Sequence, residues 1–206
     1  MRKIVIILLC LVALESCGPA VYVDKTWRDP ETTIDVSQMK KILVAAFLKT
    51  DAGRRNAEDE LSEMLKGKGV PSYSYLTMDP KPENRDAIKQ MLEQDGFDAA
   101  MVLRLVDVDK DVKYVPGSYT TYPVYYRDFW GYYWNSFTTA SATYSPGYFE
   151  TTRTYSLEMN IYLLENNKLV WSGLTSYSNP SNANKLIEGS AKTMVKAMRK
   201  QGFLKD

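Results

Sequence analysis

Histidine is absent from all 206 residues, and cysteine occurs only twice, at Cys10 and Cys17. Without histidine there is no Ser-His-Asp or Cys-His nucleophile system and no zinc site of the usual composition. The chemistry left open is that of oxygen-ligand metals, carboxylate acid/base pairs or a Ser-Lys arrangement. Long apolar runs are missing too. The longest holds eleven residues, from Ile4 to Leu14, against the ~20 that a membrane-spanning helix needs. Neither sign of charge dominates, with 26 basic and 25 acidic side chains. A clustered basic surface for nucleic acid is therefore not expected.

The amino terminus is informative. Arg2-Lys3, the apolar run and then Glu15-Ser16-Cys17 make a basic start, a hydrophobic core and a small residue before a cysteine, the pattern of an export signal. Leu14-Glu15-Ser16-Cys17 resembles the bacterial lipobox, in which a peptidase cuts before the cysteine and lipid is attached to its sulfur and new amino group. Glu15 departs from that pattern, whose second position usually holds a small or apolar residue. The alternatives are an ordinary cleaved signal or an uncleaved anchor with Cys17 as an incidental thiol. On the lipobox reading, residues 1–16 are a lipoprotein signal peptide and Cys17 carries the membrane attachment. The 26 basic residues less Arg2 and Lys3, and the 25 acidic less Glu15, leave 24 of each. The mature chain would be neutral, with no disulfide and no free thiol.

Residues 17–38 contain Pro19 and Pro30 and show no sustained period, which suggests a lipidated tether. Trp27 within it is expected to pack on a domain surface. No Lys-Asp-Glu cluster follows Cys17, in keeping with an outer-membrane lipoprotein facing the periplasm.

Residues 39–206 carry the periodicities of one α/β domain. Ile42-Leu43-Val44-Ala45-Ala46-Phe47-Leu48 is a compact apolar strand, and Thr50-Asp51 offer helix caps. Ala57, Leu61, Met64 and Leu65 fall at helical spacing before Gly67 and Gly69. Residues 70–76 fit a second strand, 84–94 a second helix and 97–108 a third strand, a βαβαβ run with parallel strands. In residues 154–164, Tyr155, Leu157, Met159, Ile161 and Leu163 alternate with polar positions; a turn at Glu165-Asn166-Asn167-Lys168 returns the chain as a hairpin. A last helix carries Ile187, Ala191, Met194, Val195 and Met198 as its core stripe. The expected fold is α/β, a mixed sheet built βαβαβ-ββα in the strand order 2-1-3-4-5.

Ile42-Leu43-Val44-Ala45-Ala46-Phe47, residues 55–65, Gly96-Phe97-Asp98-Ala99-Ala100 and Lys168-Leu169-Val170-Trp171-Ser172-Gly173 resemble the pattern of uncharacterised bacterial envelope lipoproteins. Their compact α/β domain is similar to that of the curli-secretion channel lipoprotein and of the amino terminus of the Tol-system propeller protein. The resemblance spans residues 38–204 and implies a fold and a location without a chemistry. Two clear transmembrane hairpin segments of the channel protein have no counterpart.

Between the third and fourth strands lies a Tyr-rich insert, residues 114–149, with nine of the fifteen tyrosines and two of the four tryptophans. An insert this long inside a compact domain is often functional. It suits an extended hairpin or a loop folded over the sheet, a binding surface for a protein or glycan, or membrane contact. Arg127 and Asp128 interrupt its rings, which disfavours a lipid-facing strand. The candidate partner-binding residues are Tyr125, Tyr126, Phe129, Trp130, Tyr132, Tyr133 and Trp134. On that view, deleting residues 118–146 leaves a folded protein without its partner.

Asp107, Asp109 and Asp111 share a strand face, but a calcium loop needs Gly at its sixth position and Glu at its twelfth, where Val112 and Ser118 stand. No metal and no cofactor are expected. Arg54 with Glu58 and Arg55 with Asp59 are spaced as surface helix pairs. Two function classes follow. One is a non-catalytic, lipid-anchored envelope protein that binds or scaffolds another component; the other is a carbohydrate-active or other hydrolytic protein using carboxylates such as Asp107, Asp109 or Glu150.

Overall fold

The computed structural model describes residues 21–76, 81–111, 129–131, 133 and 152–205. In chain order these form β1 (Val21–Arg28), β2 (Lys41–Phe47), α1 (Asp51–Met64), β3 (Gly69–Pro71), α2 (Ser72–Tyr75), α3 (Arg85–Gln94), β4 (Phe97–Asp111), β5 (Thr152–Leu163), β6 (Lys168–Ser178) and α4 (Ala183–Lys200). The strands make one mixed sheet in the order β1-β6-β5-β4-β2-β3. β2 runs parallel to β3 and β4, and the remaining neighbours are antiparallel.

Helices on both faces follow from the continuous apolar run of β2. Ile42, Val44 and Ala46 point to one side, Leu43, Ala45 and Phe47 to the other, and all six are buried. On the first face lie α1 and α4. Thr50 Oγ1 starts α1 by accepting from Gly53 N at 3.1 Å, and Asn182 Oδ1 starts α4 by accepting from Lys185 N at 2.9 Å. Ala57 and Leu61 of α1 and Ile187, Ala191, Met194 and Met198 of α4 bury against Met101, Met159 and Trp171 of the sheet. Each fully buried large side chain of this kind stabilises by roughly 1.5–3 kcal/mol. The outer ring of Trp171 packs on Gly173, where an added Cβ would sit 2.1 Å from it. The indole N–H donates to Gln201 Oε1 at 3.1 Å, just past the end of α4. The second face carries α3, through Ile88 and Leu92, and the rings of Phe129, Trp130 and Tyr133.

Three expectations need correction. Residues 21–28 are not tether; they form the edge strand β1, paired with β6 from Val21↔Tyr177 to Arg28↔Trp171. A bulge between Val23 and Lys25 shifts the phase, so residues sharing a face are not two apart in sequence and no alternation shows. Beyond β1, Ile34 is buried and bridges Leu204, with Ile34 N donating to Phe203 O at 2.7 Å and Lys205 N to Ile34 O at 3.0 Å. The folded unit thus begins by Val21 rather than at residue 39. The order 2-1-3-4-5 accordingly lacks the added edge strand, and the sheet has six strands. The expected second strand over 70–76 stops at Pro71 and turns into the helical turn α2. Proline offers no N–H to extend the ladder, and the carboxylate of Glu58 captures the next two donors, Ser72 Oγ and Tyr73 N.

Candidate functional site

β6 follows β5 to Thr154↔Ser178, and beyond the end of β2 at Phe47↔Arg104 the antiparallel pair of β4 and β5 runs on to Asp111↔Thr152. The Tyr-rich insert connects them. Its described residues lie against Tyr162, ten positions back along β5 and about 33 Å from that end at ~3.3 Å per residue. Phe129 N donates to Asn167 Oδ1 at 3.1 Å, which fixes the short helical segment to the β5–β6 turn. Asn167 itself has φ 53°, a left-handed conformation that Asn tolerates better than most residues.

The rings then interlock. Phe129 meets Trp130 at 4.9 Å and 66°, and Tyr162 at 5.5 Å and 64°; Tyr133 meets Phe47 at 5.2 Å and 71°. Such edge-to-face pairs add about 0.5–1.5 kcal/mol each beyond area burial. Phe129, Trp130 and Tyr133 are 0%, 2% and 3% exposed. Three of the seven candidate partner-binding rings are therefore core, with no ring face open to a partner. Tyr125, Tyr126, Tyr132 and Trp134 lie outside the described residues, as does Cys17. The expected tolerance to deletion of residues 118–146 falls with this finding, because the cut removes three core rings.

Beside Tyr133 sits a buried carboxylate. Glu58 Oε1 accepts from Ala46 N at 3.0 Å and Ser72 Oγ at 2.9 Å, and Oε2 accepts from Tyr73 N at 2.9 Å. Arg54 Nε stands 3.8 Å away. Burial pushes the Glu58 carboxyl above its usual range, opposed by these donors and by Arg54. Burial and then the charge of Glu58 raise the Tyr133 hydroxyl well above its usual range. The carboxylate thus ties the end of β2, α1 and the start of α2 together. It has no exposure, so it reaches no substrate and serves as a clamp.

Arg54 and Glu58 pair as helix spacing expects, with Glu58 facing inward. Arg55 does not pair with Asp59: its Nε bonds Asp51 Oδ2 at 2.8 Å and its guanidinium lies 5.1 Å from the Tyr73 ring centre. Asp59 accepts from the Tyr73 hydroxyl at 2.8 Å. The signal for Glu58 was present in the sequence: it shares a helix face with Leu61 and Leu65, one turn and two turns on.

Among the other carboxylates, Asp107 and Asp109 are exposed on the overhanging end of β4, opposite Ser156 and Thr154. Glu150 lies outside the described residues. Among the described residues no three His, Cys, Asp or Glu side chains are grouped to hold a metal ion. Arg104 and Glu158 pair at 3.3 Å across β4 and β5, on the face that carries Tyr162.

Exposed apolar surface is concentrated on β1. Tyr22, Val23 and Trp27 are 62%, 39% and 46% exposed, and among the described residues no other large hydrophobic side chain is so open. Tyr22, opposite Ser176, and Trp27, opposite Ser172, share one face of the sheet. No helix among the described residues is long and apolar enough to cross a membrane.

No protein-family model matches the sequence, and no curated protein matches it. Solved structures do. The PelC L103M dodecamer of Paraburkholderia phytofirmans is similar with 11% identity and a TM-score of 0.44, over 86% of this chain and 96% of that one. The PelC dodecamer of the same organism gives 12% and 0.43 over 84% and 97%. Lipoprotein GNA1162 of Neisseria meningitidis gives 13% and 0.39 over 78% and 98%. Likeness at this level says nothing of activity or partners.

Proposed function

We propose that this chain is a lipid-anchored, non-catalytic protein of the bacterial envelope that binds or scaffolds another envelope component. The observation that supports it is the short distance between the lipobox-like cysteine and the fold. Cys17 ends the signal pattern and β1 starts at Val21, four residues on, which is at most about 14 Å of extended chain. A domain so closely tied works at the membrane surface rather than at the end of a long tether. We place it on the outer membrane facing the periplasm, since no acidic export cluster follows Cys17, and beside the curli-secretion and Tol-system domains on the motifs that carry that resemblance. The hydrolase reading gains nothing from Asp107 and Asp109, which stand exposed on a strand end.

Cys17→Ala is expected to move the protein from the membrane fraction to the soluble fraction of cells. A variant still membrane-bound after a carbonate wash removes the anchor. The partner-binding side of the reading rests on Tyr125, Tyr126, Tyr132 and Trp134, the four candidate rings that lie outside the described residues. Replacing these four by Ala together is expected to leave the melting temperature within a few degrees and to abolish in-cell crosslinks to an envelope protein or glycan. Unchanged crosslinking would exclude these rings as the contact.

A further inference from the structure

We infer that the face of β1 bearing Tyr22 and Trp27 lies against the lipid headgroup layer, so that the β1 edge of the sheet is the membrane-facing side of the domain. The inference rests on acylation of Cys17 and adds to it an orientation. Its first ground is reach: Tyr22 is five residues from Cys17, and the four steps to Val21 span at most about 14 Å, so the strand cannot lie far from the bilayer surface. The second is chemistry. Tyr and Trp, with an apolar ring and a polar tip, are the side chains enriched at the membrane–water boundary. Here both stand exposed on one face of one strand, about 13 Å apart along it, since their partners on β6 are four residues apart.

The third ground concerns the rival occupant, a second copy of the chain adding a strand to this edge. The bulge between Val23 and Lys25 breaks the register of β1, and bulged edges are poor templates for strand addition. The hydroxyl of Ser176 on β6 also donates to Asp24 beside that bulge, which holds the irregularity in place.

The test uses the full lipidated chain with single added thiols, since Cys17 is the only cysteine after residue 16. Tyr22→Cys, Trp27→Cys and, on the exposed side of α4, Lys192→Cys are labelled with a fluorophore and reconstituted into phosphatidylethanolamine–phosphatidylglycerol vesicles containing headgroup-spin-labelled lipid. All three side chains are exposed, so folding is expected to survive. Quenching at 22 and 27 should exceed that at 192 at least two-fold. Equal quenching at the three positions, or greater quenching at 192, in protein that floats with the vesicles overturns the orientation and leaves the anchor standing. Failure to float removes the anchor and the orientation with it. Self-quenching between chains labelled at 22 or 27 in detergent would assign the face to a second copy and overturn the inference.

Discussion

Trp130→Ala is expected to lower the free energy of unfolding by about 3–5 kcal/mol, the range for a buried Trp cut to Ala. The ring is 2% exposed and stacks edge-on against Phe129 at 4.9 Å and Tyr133 at 6.4 Å. Its loss opens a cavity between the insert and the second sheet face. The hydrogen bond from Phe129 N to Asn167 Oδ1 holds the backbone beside it in place. A tryptophan on an open binding surface would behave differently, because surface substitutions usually stay within about 0.5 kcal/mol. Urea unfolding separates the two: a midpoint shift at unchanged slope measures the loss directly. A change below 1 kcal/mol would show that the insert's rings are not part of the core.

That result bears on how the fold can be read from the chain. β2, β5, β6 and α4 are legible because burial imposes a short repeat on contiguous residues: continuous in β2, alternating in β5, and every third or fourth residue in α4. β1 is hidden for two reasons. Its bulge breaks the repeat, and its partner β6 follows some 150 residues later, beyond any local signal. The insert is hidden for another. Phe129, Trp130 and Tyr133 are one helical turn, too short to show a period, and the same rings suit a surface or a core equally well until Phe47 and Tyr162 are known to face them. Glu58 is the most instructive case. Helix spacing pairs it correctly with Arg54, yet the apolar neighbours on its own face were the better guide, since a carboxylate among leucines has to be met by donors. Those donors come from Ala46, Ser72 and Tyr73 on other elements, and no local pattern announces them.

Removing that carboxylate is expected to cost as much as removing the tryptophan. Glu58→Ala strands three buried or half-buried donors, Ala46 N, Ser72 Oγ and Tyr73 N, each worth about 1–3 kcal/mol when left unmet; a loss of at least about 3 kcal/mol follows. Glu58→Gln is milder. Its oxygen can keep Ala46 and Ser72, while its amide faces the Tyr73 N–H and leaves that one donor unmet, for about 1–3 kcal/mol. The pair also carries a pH signature. Burial raises the Glu58 carboxyl above its unfolded value in spite of its donors, so the folded state holds the proton more tightly than the unfolded one. The resulting stabilisation is fully present below the unfolded Glu pKa of about 4.3 and is lost as pH rises through the higher folded value. Glutamine does not titrate. The wild type should therefore lose stability relative to Glu58→Gln between pH 4 and pH 7, and the gap between their urea midpoints should narrow. A gap that widens over that range would mean that the three donors and Arg54 outweigh burial and hold Glu58 ionised.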